Sequence, residues 1–130
     1  MDRFRFDLSR WPMVVVTAPA HIDAAIAREG VDRLRSLFSM HAKISVMLDV
    51  RARTGRPDAS MRKVWGDLLR SIEPELKRHV AAWAVVTSSP LMRAAYTAIL
   101  WLAPPPCPAA FFTRVEEAEA WLRRTTRVAA

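Results

Sequence analysis

One cysteine, Cys107, stands in 130 residues. No disulfide can form within the chain, and such usage suits a reducing compartment. That thiol sits among prolines, and His21, His41 and His79 lack the spacing of a helical metal pair, so neither a zinc site nor another cofactor is expected. GxxxxGK[ST] and GxGxxG are both missing, which removes the usual phosphate cradles. No run of like charge reaches the length of a nucleic-acid tail. The aromatic residues fall at core periods rather than as a stacking platform, and nucleic acid is not an expected partner. The opening MDRFRFDLSRWP carries charge but no apolar stretch, unlike a secretory signal. Internal repeats and flexible linkers are also absent.

One long uncharged run requires a membrane test. Between Arg93 and Arg114 lie twenty uncharged residues, AAYTAILWLAPPPCPAAFFT, long enough to span a bilayer. Pro104, Pro105, Pro106 and Pro108 would break a spanning helix there. The run reads instead as a buried helix, a stiff turn and a short strand. No transmembrane segment is expected, and the expected location is the cytoplasm.

What is present describes one globular domain over residues 1–130, long enough to bury a core without staples. The hydrophobic fraction of 52% is high while the charged fraction of 25% is ordinary, so some apolar surface is expected to be buried between chains. The net charge is +7, almost wholly from arginine. It favours anionic partners, although the arginines are scattered.

Along the chain, Phe4, Phe6 and Leu8 alternate with polar neighbours in FRFDLSR, the period of a half-buried strand. Trp11-Pro12 makes a turn into MVVVTAP at 13–19, a strand buried on both faces. Ile22, Ile26, Gly30, Leu34, Leu37, Phe38 and His41 share one helical face. His41 there reads as a packed histidine. KISVMLDV at 43–50 is the next buried strand. Met61, Trp65, Leu68, Ile72 and Leu76 share the face of a second helix, capped by Asp58 and kinked or divided by Pro74. VAAWAVVTSS at 80–89 is a strand. Ser89-Pro90 opens a third helix, AAFFT at 109–113 is a short strand, and VEEAEAWLRR makes a fourth helix matched to its macrodipole. The order predicts an α/β fold: a mostly parallel sheet of about five strands with four helices and an antiparallel N-terminal edge strand.

The runs VVVTAP, SVMLDVR, AVVTSSPLMRAAYTAILWLAPPPCP and FFTRVEEAEAWL resemble the STAS domain, named for sulfate transporters and anti-sigma-factor antagonists. The likeness is to a branch of small stand-alone bacterial proteins of mostly unknown function, and it covers residues 4–124. The stretch 88–108 carries most of it. The resemblance implies a regulatory, protein-binding domain. In anti-sigma-factor antagonists a phosphorylatable serine opens the helix after the central strand, which points to Ser60, although the run here lacks Ser-Ser-Gly.

Loops at the carboxyl ends of parallel strands gather on one edge of a sheet. Here they are Ala20-His21, the loop 51–57 within LDVRARTGRPDAS, and Thr87-Ser88-Ser89. Helix N-termini near Asp58 and Pro90 aim at the same edge. Arg51, Arg53 and Arg56, with Ser88 and Ser89, are therefore the candidate seat for a small anion or a partner. Asp49 ends a strand there as a candidate acid or base, or as a loop-pinning acceptor. The third helix is apolar nearly all round, more than one buried face needs. Leu91, Tyr96, Leu100 and Trp101 are its candidate interface anchors. The covering could be the rest of this chain, another chain, or a lipid-like ligand. The expected function is a non-catalytic regulatory module that binds a protein partner and self-associates. The alternative is a binding domain for a phosphate-bearing or lipid-like ligand at the carboxyl edge. An enzyme using Asp49 and the arginines comes third.

Overall fold

A computed structural model describes residues 3–40, 43–53 and 57–129, with Met40 and residues 127–129 as backbone only. Strand β1 (Arg5–Arg10) and strand β2 (Met13–Thr17) form a hairpin. Helix α1 (Ala24–Leu37) and a short 3₁₀ turn (Phe38–Met40) lead to β3 (Ile44–Asp49). Helices α2 (Ala59–Ser71) and α3 (Glu73–His79) lead to β4 (Val80–Val86). Helix α4 (Pro90–Leu102), strand β5 (Ala109–Phe112) and helix α5 (Val115–Ala129) complete the chain. The sheet order is β1-β2-β3-β4-β5, antiparallel at the first pair and parallel elsewhere.

Because each parallel strand is laid beside its predecessor in sequence order, right-handed crossovers place the connecting helices on one face. That face carries Val14, Val46 and Trp83 in one row, and Val16, Leu48, Val85 and Phe111 in the next. Residues of α1, α2, α3 and α4 pack against it. The other face presents Met13, Met47, Ala82, Ala84 and Val86, and α5 closes it with Ala118 and Leu122.

Two expectations are corrected. The second helix is divided at Ile72, one of the two outcomes expected of Pro74, and the count of helices is therefore five rather than four. Pro74 has no N–H, and its ring would meet the carbonyl of Arg70 if the helix ran on. The Ile72 N–H turns instead to the Leu69 carbonyl at 3.3 Å. Phe4, just before β1, is buried and Phe6 half-buried, but Leu8 is 39% exposed. The pairing register shifts between Asp7 and Arg10, so one extra residue breaks the alternation. The predicted place of His41 on the first helix lies outside the described residues.

Candidate functional site

The carboxyl edge is built by continuing the strand ladder one residue past each strand. Ala18 N donates to the Asp49 carbonyl at 2.9 Å, Val50 N to that of Val86 at 3.0 Å, and Thr87 N to that of Phe112 at 2.8 Å. Helices α1, α2 and α4 start from this edge, and each is capped by the side chain of the residue just before it. Asp23 accepts from Ile26 N and Asp58 from Met61 N, both at 2.8 Å, and Ser89 accepts from Met92 N at 3.2 Å. These caps take up part of the N–H array that an anion would use.

The arginines at this edge diverge. Arg51 closes a two-point pair on Asp49, Nε at 3.0 Å and a terminal nitrogen at 2.8 Å, and its backbone N adds a third bond at 3.0 Å. Asp49 shares a sheet face with Thr17 and Val86, the α5 side, and Glu116 adds negative charge acting on Arg51. Burial opposes ionisation of Asp49, but the Arg51 bonds and charge outweigh it and hold the carboxyl below its ordinary range. An aspartate held this way is a loop-pinning carboxylate, poorly suited to taking up a proton near neutral pH. Arg53 goes the other way. It lies near enough to Tyr96 for its charge to act on the phenol. Its half-buried side chain leaves Nε without a hydrogen-bond partner.

Much of the remaining positive charge is engaged elsewhere. Arg33 donates to the Phe4 carbonyl at 2.5 Å and lies over the Phe6 ring at 4.6 Å, and Arg93 lies over the Phe111 ring at 5.5 Å. Arg35 grips Glu75 with two bonds of 3.0 and 3.1 Å. These arginines are thus spread over separate pairings.

Helix α4 makes the second region. It rests on α2 where Gly66 leaves room: a Cβ there would lie 3.3 Å from the Leu102 Cβ. Arg70 of α2 donates to the Leu102 carbonyl at 2.9 Å, supplying the C-terminal cation that α4 itself lacks in its last turn. Trp101 is 80% exposed, Leu91 63% and Leu102 48%. Between sheet and helices lies a third region, an apolar cavity of about 90 Å³ walled by residues that include Phe4, Trp65, Trp83, Tyr96, Leu100 and Cys107.

A family model described as SpoIIAA-like matches residues 13–123. This chain belongs to the SpoIIAA-like family. It is also similar in structure to an uncharacterized protein of the DUF3478 family with a SpoIIAA-like fold from Shewanella loihica PV-4. The identity is 15%, with 92% of this chain and 91% of that chain covered at a TM-score of 0.65. Among curated proteins, none matches. The STAS-like resemblance and the mixed α/β architecture read from the sequence are borne out.

Within this SpoIIAA-like domain the expected site residues fall as follows. Ser60 stands exposed on the first turn of α2, and Ser88 and Ser89 are exposed at the start of α4. Arg56 lies outside the described residues. Of the four anchors named on α4, Leu91 and Trp101 are at the surface. Tyr96 is buried to 8% exposure and Leu100 lines the cavity, so those two face inward. His21 is exposed, and His79 stacks on Phe38 at 5.0 Å. Burial pushes the half-buried Cys107 thiol up to about 11, far from a nucleophilic range. Among the described residues no group of three or more potential ligands could hold a metal. None of the described helices is long and apolar enough to cross a membrane.

Sequence reasoning missed two features. The Asp49–Arg51 pair had a local signal, since residues two apart on an extended chain share a side. The cavity had only an indirect one, the bulk of Trp65 and Trp83 in the chain layers that face each other.

Proposed function

We propose that this domain is a non-catalytic regulatory module of the cytoplasm that acts by protein contact, with a second copy of itself as one partner. The exposed Trp101 carries this reading. It falls in line with Leu91, Ala94 and Ala98 at intervals of three and four residues, so one outer stripe of α4 is apolar. Arg93 is the helix's one charged residue. Small Ala94 and Ala98 leave room for a second helix to approach between the larger ends. Burying one tryptophan removes about 150–250 Å² from water, or about 4–6 kcal/mol gross at ~25 cal/mol per Å². Two copies doing so together gain about 8–12 kcal/mol gross, of the same order as the ~4–15 kcal/mol cost of association, which supports a weak dimer rather than an obligate one. Membership of the SpoIIAA-like family is consistent with a regulatory module.

The carboxyl edge is the second contact region of this reading. Ser60, Ser88, Ser89 and the loop arginines Arg51, Arg53 and Arg56 offer hydrogen bonds and positive charge to an acidic partner face. A phosphate on Ser60 would sit on the first turn of α2, where the helix N-terminus favours negative charge. It would thereby change what docks.

Sedimentation of the wild type and a Leu91→Glu/Trp101→Glu variant tests the self-association. A concentration-dependent dimer in the wild type and a folded monomer in the variant support it. A wild type that stays monomeric at high concentration removes the second copy from the reading.

A further inference from the structure

We propose that β5 is a docking edge for the β5 of a second copy, so that two sheets join antiparallel about a two-fold axis at Ala110. The inference rests on the second-copy reading above and gives that contact its geometry. Strands β1 and β5 end the sheet order, and they end it differently. β1 carries Arg5, Asp7 and Arg10, and its register shifts between Asp7 and Arg10. Charge and a bulge are devices that keep an edge strand from pairing with another chain. β5 reads AAFF, has no charged residue and pairs with β4 without a register shift. All its residues are half-buried, and no described strand lies beyond it.

The ladder to β4 fixes what β5 leaves open. Trp83 N donates to the Pro108 carbonyl at 2.9 Å, and Thr87 N to that of Phe112 at 2.8 Å. Peptide groups of successive residues turn to opposite sides of a strand. Pro108, Ala110 and Phe112 therefore face β4, while Ala109 and Phe111 turn both N–H and C=O to the open edge. These two residues flank Ala110, which makes the edge self-complementary in an antiparallel pair. Ala109 of one copy meets Phe111 of the other, and each such pair exchanges both N–H to C=O bonds. The side chains agree with this register. Ala109 and Phe111 share the face of Trp83 and Val85, so each ring lies beside a methyl of the other copy. An alignment centred on Phe111 would set ring against ring and carry Ala109 past the strand end. Any extended peptide meets the same N–H and C=O groups, but a second copy also supplies the Ala–Phe match about one axis. Helix α4 is the crossover into β5 and lies on this same face, with Arg93 over the Phe111 ring at 5.5 Å. The axis at Ala110 sets α4 and its copy on one face of the joined sheet, so the Trp101 stripe and the β5 edge address the same second copy.

The test uses the full chain. In the wild type, hydrogen exchange of the Phe111 amide is followed at rising protein concentration, with sedimentation in parallel. In a Cys107→Ala background, Ala110→Cys is oxidised with glutathione disulfide. Opposed residues of a non-hydrogen-bonded pair have Cα atoms about 4.5 Å apart, within disulfide reach. The expected result is a Phe111 amide that exchanges at least about tenfold more slowly in the dimer, and an Ala110→Cys chain that links to its copy. Ser9→Cys, exposed on the β1 edge, should stay unlinked. Ala109→Pro removes an N–H that β4 does not use, which an edge strand tolerates, and should weaken the dimer by at least about tenfold. If that variant fails to melt cooperatively, the exchange and the linking decide. A dimer whose Phe111 amide stays unprotected overturns the β5 edge and leaves the α4 contact standing. So does linking of Ala110→Cys no faster than of Ser9→Cys, or a dimer that a folded Ala109→Pro leaves unchanged. A wild type that is monomeric at every concentration removes both the edge and the second-copy reading.

Discussion

The two faces of the sheet are packed by opposite means. On the α5 side, one amphipathic helix covers the sheet: Ala82, Ala84 and Met47 of the strands are fully buried with Ala118 and Leu122 of the helix. On the other side, Phe4 ahead of β1, Trp65 of α2 and Trp83 of β4 come together, and an open cavity lies among them. Large rigid rings fill space only where their edges match. Phe4 and Trp65 meet edge to face at 5.9 Å, a good contact that still leaves room beside it.

The contrast is sharpest for truncation. Leu122→Ala should cost about 3–5 kcal/mol, because a fully enclosed side chain leaves a hole that close neighbours cannot fill. Leu48→Ala, at the cavity wall where contacts are already missing, should cost about 1–2 kcal/mol. Urea unfolding of both measures this, and equal losses would end the distinction between the faces. Enlargement should give the reverse order. Ala84→Val forces a methyl pair into the tight side and should cost about 1–3 kcal/mol. Ala103→Val, in the cavity wall, should cost less than about 1 kcal/mol or raise stability. A larger loss at Ala103 would mean the cavity wall cannot accept volume.

Smaller effects belong to the carboxyl edge. Removing a cap with Asp58→Ala or Ser89→Ala should cost about 1 kcal/mol each in thermal or urea unfolding. Asp49 contributes to the acid limb. Its folded-state pKa lies below the ordinary 3.8. Its pairing therefore stabilises the fold above that value, and the contribution is lost as pH falls through the lower folded one. Wild type should exceed Asp49→Asn in stability at neutral pH, and the two should converge in acid. A gap that stays constant down the acid limb would show that Asp49 acts through shape rather than charge.

The α/β order, the strand positions, and the caps Asp58 and Ser89 were legible because each depends on neighbours in the chain: alternation, helical spacing, a short polar side chain before a helix. Pro74 also announced its break, though not that a full second helix would follow. The Leu8 register shift was not legible, because it arises from pairing with β2. At the candidate sites the residue types were visible and their grouping was not. Arg51 and Arg53 are two residues apart, yet one turns to Asp49 on the α5 side and the other toward Tyr96. The apolar surplus of α4 was readable from its composition. Which part faced water, Trp101 rather than Tyr96, depended on how the helix rolls onto the sheet and α2.

By itself, then, the sequence determined the elements, their order, their caps and the parallel sheet that right-handed crossovers impose. Those follow from local sterics, hydrogen-bond satisfaction and period. Only the tertiary structure decided that a cavity lies on the face covered by α1 to α4, and that Cys107 stands in its wall. Packing is set by the shapes of side chains distant in sequence, and no local pattern encodes whether they fit.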